Sequence, residues 1–275
     1  MSAIDFVVAV LAGVVQGIVE WLPVSSQGNL ALFLTIVGAS PDVALQLALF
    51  LQIGTTISAA TYYREEITTA IRAVPDWRPQ TAFDGDNGVT SFMVVACVFT
   101  GVVGIPLYVF AVEAVSELDG GVFIALIGVL LLLTGALQLG SNSVSFGGRT
   151  QPTFMDACLV GAMQGLAILP GISRSGVTSS ALLFRSYEAP QAFRLSFLLS
   201  IPASLSAAAL VVLDAGGLPG ITPGAAMAAF LTSALVGYAA IGVLMRIVER
   251  VPFWAVCFGL GGLALLGGWL VTLTT

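Results

Sequence analysis

The fold of this chain is decided by a polar break inside an apolar stretch, Leu169-Pro170-Gly171-Ile172-Ser173-Arg174-Ser175-Gly176. A second break, Leu22-Pro23-Val24-Ser25-Ser26-Gln27-Gly28, interrupts another apolar stretch near the N-terminus. Pro, Gly and Ser in the middle of an apolar run predict two half-helices joined by a loop. At membrane depth such a loop is tolerated only where it lines a protein cavity. We therefore expect re-entrant helix hairpins over residues 3–37 and 154–188.

The composition predicts an all-α integral membrane protein. Of the 275 residues, 57% are hydrophobic and only 9% are charged, whereas soluble domains are about 25% charged. These values exclude an ordinary soluble enzyme, a disordered protein and a nucleic-acid binder with a basic face. Outside the two breaks, six apolar stretches reach the ~20 residues that a transmembrane helix needs: 42–63, 90–112, 120–140, 191–213, 224–245 and 252–272.

The two breaks belong to an internal repeat. Gly13-Val14-Val15-Gln16-Gly17 matches Gly161-Ala162-Met163-Gln164-Gly165 at a shift of 148 residues, and residues 53–60 match 201–208 at the same shift. We therefore predict a single membrane domain, 1–275, with a first repeat at 1–140 and a second at 154–275. Each repeat holds one hairpin and three spans, so the second must be inverted. Many secondary transporters have this architecture.

The arginines predict the orientation in the membrane. All nine basic residues are arginines, and eight of them fall in loops on one side of the predicted topology: Arg64, Arg72, Arg78, Arg149, Arg185, Arg194, Arg246 and Arg250. The opposite side carries acidic residues and no arginine. By the positive-inside rule, the arginine side is cytoplasmic and both termini lie outside. Arg174, inside the second break, is the one arginine without a topological role.

Arg174 is the strongest candidate for function. An arginine in an apolar region costs at least ~2.5–3.5 kcal/mol on insertion scales. Its guanidinium can bind phosphate in a bidentate manner. Backbone N–H groups at the start of the following half-helix would add further donors. Ser173, Ser175, Gly176 and Thr178 surround it in sequence. The alternative is that Arg174 pairs with a buried carboxylate only to hold the two halves together.

Glu20 and Gln16 form the second candidate site. They are four residues apart and share one helix face. Glu20 could act as a general base or, with Gln16 beside it, as a ligand for Mg²⁺ or Ca²⁺. The alternative is a salt bridge from Glu20 to Arg174. The two interpretations are compatible, because the pair could separate when phosphate binds.

The first break also carries hydroxyl and amide groups. Ser25 and Ser26 follow a proline turn that can bring their hydroxyls back toward Glu20. Gln27 and Asn29 come next, and both can donate to phosphate oxygens. Serine in a membrane hairpin more often bonds to the backbone than acts as a nucleophile, so the sequence alone leaves the role of Ser26 open.

The two breaks resemble the motifs of the undecaprenyl-diphosphate phosphatases of the bacitracin-resistance type. The first motif of that family has Glu or Gln, three residues, Glu, and then Leu-Pro-Val-Ser-Ser and Gly, which match Gln16, Glu20, residues 22–26 and Gly28 here. The second motif, Pro-Gly-x-Ser-Arg-Ser-Gly-x-Thr, is complete at 170–178. Length and number of spans also agree, so the resemblance covers nearly the whole chain.

The resemblance implies a membrane enzyme that removes the terminal phosphate of a polyprenyl diphosphate and so recycles a lipid carrier. It implies an active site that opens to the outer face and stimulation by a divalent cation, Mg²⁺ or Ca²⁺. Arg174, with Ser173, Ser175 and Thr178, would bind the diphosphate. Glu20 and Gln16 would occupy the metal-linked positions, and Ser26 the position of the candidate nucleophile. A homo-oligomer is compatible with the sequence.

One departure from the family pattern limits the mechanism. The family motif usually continues to His, where this chain has Asn29, and the chain contains no histidine. Either Ser26 attacks phosphorus with Glu20 as its base, or a metal-bound water attacks directly, or the activity is reduced. Because of this departure, a polyprenyl-phosphate transporter or flippase remains the alternative function.

Overall fold

The computed structural model describes residues 6–73, 75, 78–85, 87–142, 148–218, 220–248 and 251–274. Over these residues the chain is helical, apart from loops, a short 3₁₀ turn at Pro79–Thr81 and one isolated bridge between Arg149 and Tyr187. The twelve α-helices, in chain order, are α1 Phe6–Val19, α2 Ser26–Ile36, α3 Pro41–Phe50, α4 Gln52–Tyr62, α5 Arg64–Ala73, α6 Asn87–Ser116, α7 Gly120–Asn142, α8 Phe154–Leu166, α9 Arg174–Phe184, α10 Ala189–Asp214, α11 Pro223–Val248 and α12 Phe253–Thr274.

Six helical segments of the described chain are long and apolar enough to cross a membrane. The first consists of α3 and α4 in series, interrupted at Leu51. The prediction of six spans is therefore confirmed, and the molecule is an all-α, multi-pass membrane protein. The segments are Pro41–Tyr62, Asn87–Ser116, Gly120–Ser141, Ala189–Asp214, Pro223–Val243 and Phe253–Leu273.

Both predicted breaks are present. Residues 20–25 separate α1 from α2, and residues 167–173 separate α8 from α9. The longest of these four helices, α1, has 14 residues. At 1.5 Å per residue it is about 21 Å long, which is less than the ~30 Å hydrocarbon core of a bilayer. None of the four helices can therefore cross a membrane by itself.

Glycines allow the helices to pack closely in three pairs. On α7 and α12, a Cβ atom at either Gly128 or Gly261 would lie 2.8 Å from the carbonyl oxygen of the other. Gly17 of α1 approaches the backbone of Gly237 on α11. Gly165 of α8 approaches Gly104 on α6 in the same way. Small residues let helix backbones pack tightly in membranes, where burial of apolar surface drives little association between helices.

A buried carboxylate ties α8 to the loops around it. Asp156 is fully buried and lies at the start of α8, where Thr153 is the N-cap of a capping box. Its oxygens accept hydrogen bonds from Arg185 Nε at 2.6 Å and from the Tyr187 hydroxyl at 2.8 Å. Burial alone would raise the pKa of Asp156, but the hydrogen bonds from Arg185, Thr153 and Tyr187 together lower it below its ordinary value.

We expect Asp156→Asn to lower the free energy of unfolding by about 2 kcal/mol, because it removes a charge that a partly exposed arginine and two hydroxyls stabilise. Thermal unfolding in detergent micelles would measure the loss, with the exposed Asp84→Asn as the control. A carboxylate with a lowered pKa stabilises the fold above its unfolded pKa of about 3.9 and loses that effect as the pH falls through its folded pKa. The difference in stability between the two proteins should therefore begin to shrink below about pH 4 and disappear at lower pH.

Candidate active site

The two breaks contact each other through buried residues, and Ser25 joins them. Its backbone is left-handed (φ 60°), and its Oγ caps α2 by accepting the Gly28 N–H at 3.2 Å. The same oxygen accepts the N–H of Gly171 in the second break at 3.1 Å. A Cβ atom on Gly28 would lie only 2.6 Å from the Gly171 nitrogen, so glycine is required for this approach.

The second break has the equivalent cap. Ser173 Oγ accepts the Gly176 N–H at 3.1 Å at the start of α9. Its backbone N–H donates to Thr134 Oγ1 on α7 at 3.2 Å, which fixes the break to the helix bundle. The helices α2 and α9 thus begin beside each other with serine caps. Helix N-termini carry a partial positive charge that favours anions.

Glu20 and Arg174 form an ion pair between the two breaks. Arg174 Nη2 donates to Glu20 Oε1, and both side chains are largely buried. The other carboxylate oxygen, Oε2, accepts Gln16 Nε2 at 2.8 Å and the Ser26 hydroxyl at 2.6 Å. The salt bridge anticipated as an alternative is therefore present. It coexists with a hydroxyl–carboxylate contact at the distance expected of a nucleophile and its base.

The other terminal nitrogen of Arg174 is held by α10. Nη1 donates to the Ser200 carbonyl at 3.1 Å and to the Ser204 hydroxyl. Ser204 Oγ in turn donates to Gln52 Oε1 on α4 at 3.1 Å. Sequence reasoning did not identify Ser200, Ser204 or Gln52. Two features of the sequence could have indicated two of them. Gln52 is a glutamine inside an apolar span, and Ser204 is a polar residue in the repeated segment 201–208.

Glu20 and Arg174 line an open cleft with about 590 Å³ of empty space, including the solvent at its mouth. Gln52 and Ser204 contribute to its wall, together with apolar side chains such as Leu49 and Ala207. A cleft with apolar walls and a few convergent polar groups is typical of a ligand site. Seven of the eleven predicted site residues line it: Glu20, Ser25, Ser26, Gln27, Ser173, Arg174 and Ser175.

The other four predicted residues, Gln16, Asn29, Gly176 and Thr178, lie outside the lining of the cleft. The Asn29 amide nitrogen donates to the carbonyls of Val24 and Ser25, at 2.7 and 2.9 Å, and so stabilises the left-handed turn. Thr178 donates to the Arg174 carbonyl at 2.8 Å, one turn back on α9. Both residues hold a break in shape, and their predicted contact with phosphate stays a prediction.

The donors available to a cation are few. No group of three or more His, Cys, Asp or Glu side chains occurs among the described residues, and Glu20 is the acidic side chain in the cleft lining. Beside it, Gln16 Oε1 is buried without a hydrogen-bond partner. Mg²⁺ binds in this manner, through one or two protein oxygens, with substrate phosphates and water completing its shell. The residues therefore fit a hard divalent cation that binds together with a phosphate.

Comparison with known proteins finds relatives over nearly the whole chain. Residues 9–263 match the family model described as "Bacitracin resistance protein BacA". A protein of Haloarcula marismortui named undecaprenyl-diphosphatase is 49% identical over 267 residues, which cover 97% of this chain and 98% of the relative. Proteins with the same name from Methanococcoides burtonii (38% identical; 94% and 96% covered) and Methanopyrus kandleri (36%; 97% and 97%) are also similar.

The family match covers both breaks, all of the residues that line the cleft and most of the six spans. The names of the relatives give no support to the alternative of a transporter. Their length is nearly that of this chain, so the match concerns the whole fold. This chain therefore belongs to the BacA family, the bacitracin resistance proteins.

Proposed function

We propose that this chain hydrolyses a polyprenyl diphosphate of the undecaprenyl or dolichyl type to the monophosphate and inorganic phosphate, and so recycles a lipid carrier. The relatives are named for this activity. The observation that carries the proposal is the joining of Ser26, Glu20 and Arg174 in one cleft. A nucleophile bonded to a base, with a guanidinium beside them, is the set of groups that phosphoryl transfer requires.

In the chemistry we propose, the Ser26 oxygen attacks the terminal phosphorus while its proton passes to Glu20. The bond from that phosphorus to the bridging oxygen breaks, and polyprenyl monophosphate leaves with the bond electrons. Water then attacks the phosphoserine, and Glu20 directs the proton transfers that release inorganic phosphate and restore the hydroxyl. Arg174 and the N-termini of α2 and α9 stabilise the charge on the transferring phosphoryl group. The remaining residues of the site stabilise the conformation of the breaks or contact phosphate; they are Gln27, Ser173, Ser175 and Thr178.

We propose that a divalent cation, Mg²⁺ or Ca²⁺, binds at Glu20 and Gln16 when the diphosphate enters. The unpartnered Gln16 Oε1 supports this assignment, because a buried acceptor without a donor costs roughly 1–3 kcal/mol. When bound, the cation would neutralise phosphate charge. The incoming diphosphate would draw Arg174 away from Glu20 and leave that carboxylate available.

We also infer two inverted repeats, 1–140 and 154–275, with re-entrant hairpins and with the site open to the extracytoplasmic side. Short connections make α6 antiparallel to α7 and α11 antiparallel to α12. The contacts Gly121–Gly268 and Gly128–Gly261 make α7 antiparallel to α12, so the equivalent helices α6 and α11 run in opposite directions. This arrangement puts Arg64, at the start of α5, on the same side as the loops with Arg149 and Arg185, which the positive-inside rule makes cytoplasmic. Residue 250 lies outside the described residues, and only the backbone of Arg246 is described.

Phosphate release by Ser26→Ala tests the nucleophile. We expect a loss of about 10³-fold or more, because no other hydroxyl is recorded as bonded to Glu20 in the described part of the chain. Release of phosphate from a polyprenyl diphosphate by purified protein in detergent is the measurement. Ser206→Ala, on the exposed face of α10, is the matched control. Near-normal turnover of Ser26→Ala would exclude the covalent route and favour direct attack by water.

Arg174→Ala should reduce phosphate release by about 10³-fold, because the charge developing on the phosphoryl group loses its guanidinium. The exposed Arg194→Ala should retain activity. Since Arg174→Ala leaves Glu20 buried and unpaired, thermal unfolding of the same variant in detergent micelles separates misfolding from lost catalysis. A wild-type rate in Arg174→Ala would refute the assignment of the site.

Cation dependence tests the role of Gln16. EDTA should suppress phosphate release, and Mg²⁺ or Ca²⁺ should restore it. Gln16→Leu should raise the cation concentration that gives half-maximal activity about 10-fold, because one ligand oxygen is lost. Gln191→Leu removes a glutamine whose amide donates to the Thr150 carbonyl outside the cleft lining, and it should leave that concentration unchanged. Activity of the wild type that is insensitive to EDTA would contradict the cation proposal.

A further inference from the structure

Gln52 is a polar side chain in the cleft that the proposed chemistry does not use. It begins α4 at the interruption after Leu51, in the middle of the first span, and it is 7% exposed. A glutamine amide has two donor hydrogens and one acceptor oxygen. The orientation of the amide decides whether its NH₂ group or its oxygen faces the cleft. The neighbouring hydrogen bonds indicate that orientation.

The hydrogen bonds along Arg174, Ser204 and Gln52 run in one direction. A guanidinium can only donate, so Ser204 Oγ accepts from Arg174 Nη1. In the structure the single hydroxyl hydrogen of Ser204 is directed to Gln52, whose oxygen Oε1 accepts it at 3.1 Å. The Gln52 oxygen therefore faces Ser204, and the NH₂ group faces away from it. No acceptor for this NH₂ group is recorded among the described residues, and Gln52 lines the cleft.

From this geometry we propose that the Gln52 NH₂ group binds a phosphate oxygen of the diphosphate, with Ser204 as the positioning residue. The inference rests on the proposed function and extends it to a second element of the site. Arg174 comes from the second break, whereas Gln52 comes from the first span, so the two approach the cleft from different halves of the chain. A diphosphate presents two phosphoryl groups, and Gln52 supplies a neutral donor that is not engaged by Glu20. A neutral donor adds affinity for phosphate oxygens without competing for that carboxylate.

Gln52→Glu is the deciding variant. A glutamate retains an oxygen that accepts the Ser204 hydroxyl, so it preserves a purely structural role. It replaces the NH₂ donor by an anionic oxygen, which repels phosphate. We expect Gln52→Glu to raise the KM for polyprenyl diphosphate about 10-fold or more, with a smaller effect on kcat. Gln52→Leu should raise the KM less, because it removes the donor without adding repulsion.

Binding of inorganic diphosphate, measured by calorimetry on the full-length protein in detergent micelles, gives a readout that does not need turnover. The Kd should rise about 10-fold in Gln52→Glu, whereas Gln46→Glu places the same charge in the same span outside the cleft lining and should change the Kd little. Equal Kd values for the wild type and Gln52→Glu, or no diphosphate binding by the wild type, would overturn the inference. Diphosphate binding that depends on Gln52, without phosphate release from the lipid, would instead support Gln52 and refute the hydrolase.

Discussion

The pairing of Glu20 with Arg174 is the interaction on which the rest of the site depends. Each charge would be costly in an apolar interior, and each lies at a break where helical backbone hydrogen bonding stops. Pairing them brings the two breaks together, and the contact of Ser25 with Gly171 then fixes their separation. An ion pair between half-helices can also open, which leaves the guanidinium free to bind another anion. A diphosphate can replace the carboxylate at Arg174, because both are anions with oxygen acceptors.

Hydrogen bonds from neighbouring residues hold both side chains of this ion pair in a fixed orientation. Gln16 and Ser26 bond to one carboxylate oxygen, while Ser200 and Ser204 hold the guanidinium from the opposite wall. Both side chains thus keep their orientation if the pair separates. The two serine-capped helices begin at the same place, so backbone N–H groups reinforce the positive potential of Arg174. In the mechanism that we propose for this chain without histidine, this positive potential and the Ser26–Glu20 contact take the place of imidazole chemistry.

The sequence predicted the spans and both breaks well, because long apolar runs and a Pro-Gly-Ser interruption are local signals. It also identified Arg174 and Glu20, since a charge in an apolar region needs an explanation. It did not identify Gln52 or Ser204, because neutral polar residues are common in membrane helices and their importance lies in a partner more than 100 residues away. Asn29 shows what the motif alone could not indicate. Its amide nitrogen donates to two carbonyls of the break, and its predicted contact with phosphate stays a prediction.

The sequence by itself determined that this is a six-span membrane protein with two broken helices and a buried arginine, because hydropathy, proline and charge act over a few neighbouring residues. Only the tertiary structure decided which atoms meet. It directed the Ser26 hydroxyl onto Glu20, placed Ser204 between Arg174 and Gln52, and removed Asn29 and Thr178 from the cleft lining. The physical reason is that hydrogen bonds act over about 3 Å and depend on direction. Two residues that share a motif can therefore face opposite ways, while residues from separate helices share one site.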